Sequence, residues 1–411
     1  MSGNLPESPT VRRVLAGELC AGCGLCAGVS GGGIRMESTP PGYNRPVGAG
    51  PMSREAEAVI AEACPGALVE PWGGAPDIHP YWGPLRQVLT GAATNETTRF
   101  EGSSGGVISG LLIHALETGL VDRVIHTAAD PAEPTRNVTV VSRTPAAVLA
   151  AAGSRYTGSS PLADVEALLA EGGKAAFVGK PCDASALRRL ARKDPRVQQH
   201  VPVVLSFFCG GIPSHDGVGR ILKTMGLADE PLSAFRFRGR GWPGNCAAET
   251  PDGRTAEMSY ADSWGGHLSK EVQFRCKICP DAVGGVADIA CADAWYGDES
   301  GYPKFEEEEG RSLIIARSEA GERLLASAMA AGALSVERIA ADEIDKMQPA
   351  QARRKRLILA RTAALPFAGQ PQPRMVGLKV AEAARKAPLP EALKNALGTL
   401  RRTLQGRRSR L

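Results

Sequence analysis

Cysteine is the residue type whose spacing in this chain indicates a chemistry most directly. Three of the ten cysteines, Cys20, Cys23 and Cys26, form a compact Cys-x-x-Cys-x-x-Cys run, and Cys64 lies farther along, before a proline. Three thiolates in one short turn, joined by a distant fourth, suit a cubane 4Fe-4S cluster. Such a cluster moves single electrons, so the pattern predicts an electron-transfer protein or a redox enzyme.

Other uses of these thiols compete with the cluster. The pairs Cys20/Cys23 and Cys276/Cys279 could share a structural zinc ion, although that leaves Cys26 without a role. Unrelated thiols are a further alternative. A secreted disulfide framework is disfavoured, because no secretory apolar region stands near the start and close Cys-x-x-Cys pairs in a cytosolic protein serve metals or redox chemistry.

Four further cysteines are candidates for a second site. Cys182 and Cys209 each follow an apolar run that reads as a buried strand (AAFVGKPC and VVLSFFCGG), and Cys276 and Cys279 form another pair. Ligands gather at the carboxyl ends of strands in open α/β sheets, so these thiols are expected to meet there. The alternative is that Cys182 and Cys209 are buried core thiols. Two cysteines are interpreted as structural: Cys246 and Cys291.

Small residues before a helical pattern mark a candidate anion site. Residues 101–107 (EGSSGGV) precede an apolar helix, whose free N–H groups and dipole attract a phosphate. Ser103 or Ser104 is expected to cap the helix. Gly105 and Gly106 let the backbone approach an anion. The alternative is an ordinary Ser-Gly-Gly turn.

Two other segments carry groups that suit a dinucleotide. Residues 153–156 (GSRY) offer a hydroxyl in Ser154, a cation in Arg155 and an aromatic face in Tyr156, or else form a surface turn. Residues 235–244 (FRFRGRGWPG) form either a strand with one charged face or a set of guanidinium groups for an anionic ligand.

The elements that must position these groups alternate between strands and helices. The sequence predicts helices at 105–119, 161–169, 184–191 and 215–225, and strands at 121–127, 138–141, 175–178 and 201–208. This alternation indicates an α/β fold, with α+β elements, on a mixed and partly parallel sheet.

Charge is distributed unevenly along the 411 residues. The composition is that of a globular protein, and no apolar stretch is long enough to span a bilayer, so the expected compartment is the cytoplasm. Residues 350–411 carry fifteen Lys and Arg against two acids, whereas the remainder is net acidic, which disfavours nucleic-acid binding. Leucines at helical spacing from Leu389 to Leu404 predict an amphipathic basic helix that docks on a membrane surface or an acidic partner, or packs on the body. Arginines follow or flank these leucines: Arg401, Arg402, Arg407, Arg408 and Arg410.

The order of these motifs resembles the coenzyme F420 hydrogenase/dehydrogenase beta-subunit family. The matching segments are CAGCGLC with a later CP, SSGGV, GSRY, VGKPC, FFCGG, FRGRGWPG, CKICPDA, ADIACADAW, and GRSLIIAR with an EAG turn at 319–321. The resemblance implies a flavoprotein with FAD and one or two 4Fe-4S clusters. It implies electron transfer from ferredoxin or a similar one-electron donor to a small-molecule acceptor by hydride transfer. The family includes deazaflavin-reducing hydrogenase subunits and reductases of chlorophyll intermediates.

The resemblance also assigns residues. It assigns one cluster to Cys20, Cys23, Cys26 and Cys64, and a second to Cys182, Cys209, Cys276 and Cys279. It assigns FAD contacts to Ser103, Ser104, Gly105, Gly106, Ser154, Arg155 and Tyr156. Lys180 stands where the family often has a small residue, and is expected to touch a phosphate or flavin edge or to reach solvent. Independently of the resemblance, residue type and location make Glu101, His215 and Asp293 candidate proton donors. The alternative for each is a helix cap, a surface residue or a structural hydrogen bond.

Four parts of the chain are expected from the motifs and from composition. They are a ferredoxin-like iron–sulfur segment at 1–70, a linker at 71–84, an FAD and second-cluster domain at 85–345, and a basic tail at 346–411. Two rival functions stay open: an electron-transfer subunit of a larger complex without its own substrate, and a zinc-stabilised docking protein.

Overall fold

The strands are distributed along most of the chain. In a computed structural model of the protein, the described residues are 4–71, 75, 77–295, 297, 304 and 306–405. Their strands are β1 Ile34–Thr39, β2 Tyr43–Gly48, β3 Leu68–Val69, β4 Asp77–His79, β5 Gly83–Leu85, β6 Gln87–Ala93, β7 Arg123–Ala129, β8 Asn137–Ser142, β9 Ala175–Val178, β10 Val203–Phe207, β11 Ala234–Arg236, β12 Cys246–Glu249, β13 Thr255–Met258, β14 Ile289–Asp293, β15 Ser312–Ala316, β16 Leu334–Arg338 and β17 Arg374–Met375.

Helices separate many of these strands. The α-helices of the described residues are α1 Pro9–Ala16, α2 Leu25–Gly28, α3 Arg54–Ala63, α4 Glu96–Glu101, α5 Val107–Glu117, α6 Pro145–Ala150, α7 Val165–Ala170, α8 Pro181–Leu190, α9 Arg196–His200, α10 His215–Thr224, α11 Phe274–Lys277, α12 Glu319–Ala330, α13 Glu343–Met347, α14 Pro349–Ala363, α15 Val380–Arg385 and α16 Leu389–Leu404. None of the helices in the described ranges combines the length and apolar character needed to cross a bilayer.

A large mixed sheet organises the molecule. Its strand order is β16-β6-β15-β14-β10-β9-β7-β8. The pairs β7–β9, β9–β10 and β10–β14 are parallel, and the remaining neighbours are antiparallel. The prediction of an α/β fold on a mixed, partly parallel sheet is therefore confirmed. The carboxyl ends of β9, β10 and β14 meet at one edge, where the candidate site lies.

Both faces of the sheet are covered by packed side chains. Successive side chains along a strand point to opposite sides, so each strand contributes to two cores. Val124 and Leu205 belong to a core that includes Leu111 of α5. Their sequence neighbours Ile125 and Val204 belong to a second core on the other face, with residues of α7 and α8. Strands buried on both faces read as continuous apolar runs, which is why these segments were predictable.

Several element boundaries differ from the predictions. The helix predicted from residue 161 begins at Val165, because residues 161–164 form turns. The predicted turn at 319–321 is wrong: Ser318 caps α12 by accepting a hydrogen bond from the backbone N–H of Gly321. The segment 235–244 contributes only the end of β11 before positive-φ glycines, Gly239 and Gly241, turn the chain.

The C-terminal segment returns to the body of the protein. Strand β17 pairs with β3 in parallel, and α14 buries Gln351, Lys355 and Ile358. The Lys355 ammonium donates to the carbonyl of Pro280 at 2.7 Å. The predicted helix at 389–404 is present as α16. Residues 72–74 and 76 of the predicted linker, and the arginines at 407, 408 and 410, lie outside the described residues.

Candidate functional site

The N-terminal cysteines form the first of two thiol sets. Cys20 and Cys23 are buried in the loop between α1 and α2, Cys26 lies in α2, and Cys64 caps the C-terminus of α3. Burial first, and then the charges of the other three thiols, raises the pKa of Cys26 well above its usual range. The structure therefore brings these four predicted ligands together.

Backbone conformation lets the short run wrap around a common region. Gly22 and Gly24 have φ of +74° and +87°, a range in which glycine is favoured. A Cβ at Gly24 would stand 2.6 Å from the backbone nitrogen of Ala163, so a larger residue would displace the loop. The N–H of Gly22 donates to Cys20 Sγ at 3.4 Å, a hydrogen bond that would stabilise negative charge on this sulfur.

The second thiol set lies at the strand ends, where the sequence predicted it. Cys182 is in the first turn of α8, which follows β9, and Cys209 lies two residues beyond β10. Cys276 belongs to α11, and Cys279 follows closely. Burial raises the pKa of Cys209 to about 12, with a further contribution from Cys276. The N–H of Ile212 and the side-chain amide of Gln273 both donate to Cys276 Sγ at 3.4 Å.

The two thiol sets are close to one another. Cys23 of the first set packs in one core with residues of α8, the helix that carries Cys182 of the second set. Burial raises the pKa of Cys182 well above its usual range, and the charge of Cys23 adds to the rise. Arg275 acts on both sets, because its charge opposes the rise in the pKa of Cys64 and of Cys279.

Arg275 also has donors without a protein partner. Its side chain is 3% exposed, and Nη2 donates to the carbonyl of Pro65 at 2.8 Å, but Nε and Nη1 have no hydrogen-bond partner. A buried cation with unpaired donors is costly unless an acceptor fills the space. An iron–sulfur cluster bound by four thiolates is an anion. The unpaired Nε and Nη1 donors of Arg275 are therefore compatible with a cluster beside them.

In the part of the chain that the structure describes, no group of three or more His, Cys, Asp or Glu side chains is placed so that it could hold a metal ion. A zinc site needs four ligands around one centre, whereas the four cysteines of a cubane cluster each bind a different iron.

A cavity of about 620 Å³ lies beside the second thiol set. This volume is within the range of cofactor and ligand pockets. Predicted FAD contacts line it: Ser103, Ser104, Gly106, Ser154, Arg155, Tyr156 and Lys180. Cys209 and Cys276 line it too. The structure thus brings three separate motifs and two cysteines to one space.

Gly105 has a packing role instead. Its N–H donates to Ser312 Oγ at 3.0 Å, and it is not a lining residue of the cavity. A Cβ at this position would stand 2.6 Å from the carbonyl oxygen of Gly91. Close approach of the backbone to β6 and β15 explains the glycine.

The start of α5 faces the cavity without a side-chain cap. Gly106 is the N-cap residue, in a left-handed conformation, and Ser103 and Ser104 do not cap the helix as predicted. Their hydroxyls donate to the carbonyls of Arg238 and Arg311. The first turn of α5 lines the cavity, so its N–H groups are available to an anionic ligand.

The two predicted cations beside the cavity already have partners. Arg155 donates to the side chain of Asn137 at 2.9 Å and to the carbonyls of Pro134, Arg136 and Phe235, and burial lowers its pKa to about 10. Its guanidinium therefore holds loops together.

Lys180 is paired in a similar way. Its ammonium contacts the Asp183 carboxylate at 2.7 Å and Ser159 Oγ at 2.6 Å. Burial disfavours the charged form, but Asp183 outweighs it, so the pKa of Lys180 is raised. The buried ammonium stays charged at the cavity wall without reaching solvent.

The cavity has an aromatic wall that sequence reasoning missed. Tyr260, Trp264 and Trp295 line it together with the predicted Tyr156. The rings of Tyr156 and Trp264 are 5.0 Å apart between centroids. Arg238 lies over Tyr260 at 4.8 Å. These residues come from separate segments, and no local spacing pattern marks them.

Helix α14 also contributes to the site, although the sequence predicted a docking tail there. Gln351 Nε2 donates to the carbonyl of Cys209 at 3.0 Å. Arg354 donates to the same carbonyl at 2.9 Å and to that of Gly210 at 2.8 Å. Both side chains line the cavity. The helix thereby fixes the backbone that carries a predicted cluster ligand.

The predicted proton donors occupy different surroundings. Glu101 pairs with Arg236 at 2.8 Å, and His215 contacts Thr135, and neither lines the cavity. Asp293 does line it, but its carboxylate accepts two hydrogen bonds from Arg238 at 2.8 and 2.7 Å. The arginines of the segment 235–244 therefore meet carboxylates of the protein.

Comparison with known proteins gives the family. The family model for the N-terminal part of the coenzyme F420 hydrogenase/dehydrogenase beta subunit matches residues 88–166, and the model for the C terminus of the same subunit matches residues 172–342. Together these matches cover more than half of the chain. The protein belongs to this family. The predicted resemblance is confirmed, and the family is one of redox proteins that transfer electrons.

Several relatives extend this finding. The chain is 27% identical over 264 residues to coenzyme F420 hydrogenase subunit beta of Methanococcus voltae, covering 63% of this chain and 86% of that one. It is 24% identical over 221 residues to the chloroplastic 7-hydroxymethyl chlorophyll a reductase of Oryza sativa subsp. japonica, covering 54% of this chain and 45% of the reductase.

A solved structure shares the fold. A chain of the F420-reducing [NiFe] hydrogenase complex from Methanosarcina barkeri superimposes with a TM-score of 0.54 and 22% identity. The superposition covers 72% of this chain and 98% of that one.

Proposed function

We propose that the protein is an iron–sulfur flavoprotein oxidoreductase that takes electrons from ferredoxin or a similar donor and reduces a small organic acceptor. Its cofactors would be two 4Fe-4S clusters and FAD. The observation that carries the proposal is the cavity at the strand ends. Candidate FAD contacts and two cysteines of the second thiol set line the same space, and the first set lies next to the second.

The residues present fit iron–sulfur chemistry. Cys20, Cys23, Cys26 and Cys64 would hold one cluster, and Cys182, Cys209, Cys276 and Cys279 the other. Hydrogen bonds to Cys276 Sγ from Ile212 and Gln273 would stabilise a thiolate and tune a metal centre held there. All ten cysteines are free, which suits a reducing compartment, and we place the protein in the cytoplasm.

The cavity residues fit FAD. When bound, FAD exchanges single electrons with clusters and a hydride with an organic acceptor. The uncapped first turn of α5 offers N–H donors and the positive end of a helix dipole to a diphosphate. Tyr156, Trp264 and Trp295 offer flat apolar surfaces that bind a ring system and exclude water.

Tyr260 places a protonated hydroxyl at the cavity wall. Burial raises the pKa of its hydroxyl well above the usual range, and nearby Tyr156 contributes to the rise. The Oη atom therefore keeps its proton at neutral pH. As a neutral hydroxyl it can donate a hydrogen bond to a bound ligand, whereas the Asp293 carboxylate is held by Arg238.

A second candidate is a subunit that transfers electrons within a larger redox complex. Two of the similar proteins favour this candidate, because each is part of an assembly: one is named a hydrogenase subunit beta, and the other is a chain of a hydrogenase complex. Turnover of an organic acceptor by the isolated chain with artificial electron donors would support the first candidate. Cluster and flavin reduction without turnover of any acceptor would support the second.

The test begins with anaerobic purification, a visible spectrum, and assays of iron, sulfide, zinc and flavin. We expect about eight irons and one FAD per chain, because each 4Fe-4S cluster contributes four irons. C20S and C209S should each lose about half of the iron. The matched control is C246S, since Cys246 is buried but belongs to neither thiol set.

Other results would change the assignment. About four irons with flavin, and an unchanged content in C209S, would keep the redox function and make the second set structural. Zinc without flavin would overturn the proposed function and favour a zinc-stabilised docking protein.

A further inference from the structure

Helix α16 packs on the protein through its polar face. Its buried residues are Thr399 and Thr403. Arg361 of α14 donates to Asn395 Oδ1 at 3.0 Å, and Arg353 of α14 donates to Glu391 Oε1 at 2.5 Å. Helices on a protein surface normally place the apolar face inward. In α16 the orientation is reversed.

The apolar face of α16 is exposed as a leucine stripe. It consists of four leucines with exposed fractions of 80%, 58%, 56% and 67%: Leu389, Leu393, Leu397 and Leu404. With about 100° per residue, they share an arc of roughly 80° on one side of the helix. A contiguous exposed apolar row of this kind marks an interaction site.

Basic side chains border the stripe. Lys394 and Arg401 are exposed and follow the leucines around the helix. Neither forms an ion pair with a described residue. The two acids of residues 350–411 are already paired, Glu391 with Arg353 and Glu382 with Lys379. The charge next to the stripe is therefore positive and unneutralised.

We propose that α16 docks the protein on the surface of an anionic lipid bilayer, with the leucine stripe buried at the boundary between headgroups and acyl chains. Interfacial helices combine an apolar face with lysines and arginines at its border. Protein interfaces instead rely on tryptophan, tyrosine and arginine anchors, whereas leucine is under-represented among them. Residues 389–404 contain no aromatic side chain, so the composition favours lipid. This inference does not depend on the proposed cofactors.

The test is sedimentation of the purified full-length protein with phosphatidylcholine vesicles, with and without phosphatidylglycerol. We expect binding to the mixed vesicles and little to the neutral ones. L393E/L397E should abolish binding. K394Q/R401Q should weaken it roughly 30-fold, since each basic residue near an anionic surface contributes about a factor of five. Added salt should weaken it further.

A matched control distinguishes binding through the leucine stripe from nonspecific binding through other exposed apolar side chains. Met329 of α12 is 41% exposed on the body, and M329E should bind as the wild type does. Circular dichroism checks that each variant is folded. Wild-type protein that stays in the supernatant with anionic vesicles overturns the proposal, as does equal binding by L393E/L397E. A dimer that L393E/L397E dissociates, without vesicle binding, would assign the stripe to a second copy and also overturn it.

Discussion

Arg275 is buried and adjoins both thiol sets, since it precedes Cys276 in the chain and its Nη2 donates to the carbonyl of Pro65, next to Cys64. Its Nε and Nη1 donors are unpaired. Its charge acts on Cys64 of one set and Cys279 of the other. Reduction adds negative charge to a cluster, so a nearby buried cation favours the reduced form. Arg275 is thus a positioning and tuning residue for the proposed clusters, and its role can be measured separately from turnover.

We expect R275M to lower the midpoint potential of at least one cluster by roughly 50–100 mV, the Coulomb effect of one nearby charge at an effective dielectric constant of about 20. The measurement is a potentiometric titration followed by electron paramagnetic resonance. R275K keeps the charge and should stay close to the wild type. An unchanged potential in R275M with full iron content would contradict the tuning role.

His126 predicts a pH dependence of stability. It lies on β7 beside the cavity, its Nε2 contacts Ser142 Oγ at 2.8 Å, and burial lowers its pKa to about 4. The unfolded chain, with a histidine pKa near 6.5, binds more protons below that pH. This contribution to stability is therefore present above pH 6.5 and is lost as the pH falls toward 4.

Between pH 7 and pH 5 we expect the free energy of unfolding to fall by about 2 kcal/mol through this site. Urea denaturation at both pH values measures it. H126Q cannot titrate and should show a decrease smaller by that amount. Equal decreases in the two proteins would show that His126 is not the responsible group.

At the scale of elements, α5 is bounded by two left-handed glycines that differ in their surroundings. Gly106 has φ of +69° and Gly119 has φ of +68°. A Cβ at Gly106 would stand 2.5 Å from the carbonyl oxygen of Thr98, whereas a Cβ at Gly119 would meet nothing within 4 Å. Alanine substitutions at these two positions therefore distinguish the cost of a left-handed backbone conformation from the cost of a steric clash.

G119A should cost about 1–2 kcal/mol, the penalty of a left-handed alanine. G106A should cost more, because α4 must move, and it should also weaken flavin binding by displacing the start of α5. Chemical denaturation and flavin titration measure the two effects. Equal destabilisation with unchanged flavin affinity would contradict the role given to this turn.

Local pattern predicted the elements that bury continuous apolar runs. The strand at 175–178 is found as predicted, because its residues face both cores. The sequence did not predict that α14 belongs to the site. Its buried face carries polar residues, Gln351 and Lys355, whose pattern is typical of a solvent-exposed helix face. The cysteine sets were visible as spaced motifs. The aromatic wall was not, because Tyr260 and Trp295 meet only in the tertiary structure.

At the scale of the whole molecule, the C-terminal segment has two separable parts. Helix α14 holds the Cys209 loop, whereas α16 presents the leucine stripe to the outside. A chain that ends at Pro388 should keep its flavin and iron and lose vesicle binding. A chain that ends at Gln348 should lose flavin and the iron of the second thiol set.

Cofactor analysis after anaerobic gel filtration measures both truncations. The chain that ends at Pro388 serves as the control for the shorter one, because it keeps α14 and lacks α16. Full flavin and iron in the chain that ends at Gln348 would show that α14 is dispensable for the cavity.

The span of the cavity wall has a consequence for biogenesis. Its lining residues run from Gly102 to Arg361, so the last of them is synthesised long after the first. At about 5–20 residues per second, that interval is roughly 13 to 50 seconds. A nascent chain therefore exposes its thiols well before the ribosome has delivered the helix that closes the pocket. If the proposed flavin binds this cavity, its capture follows synthesis of α14, and prematurely terminated chains would lack it.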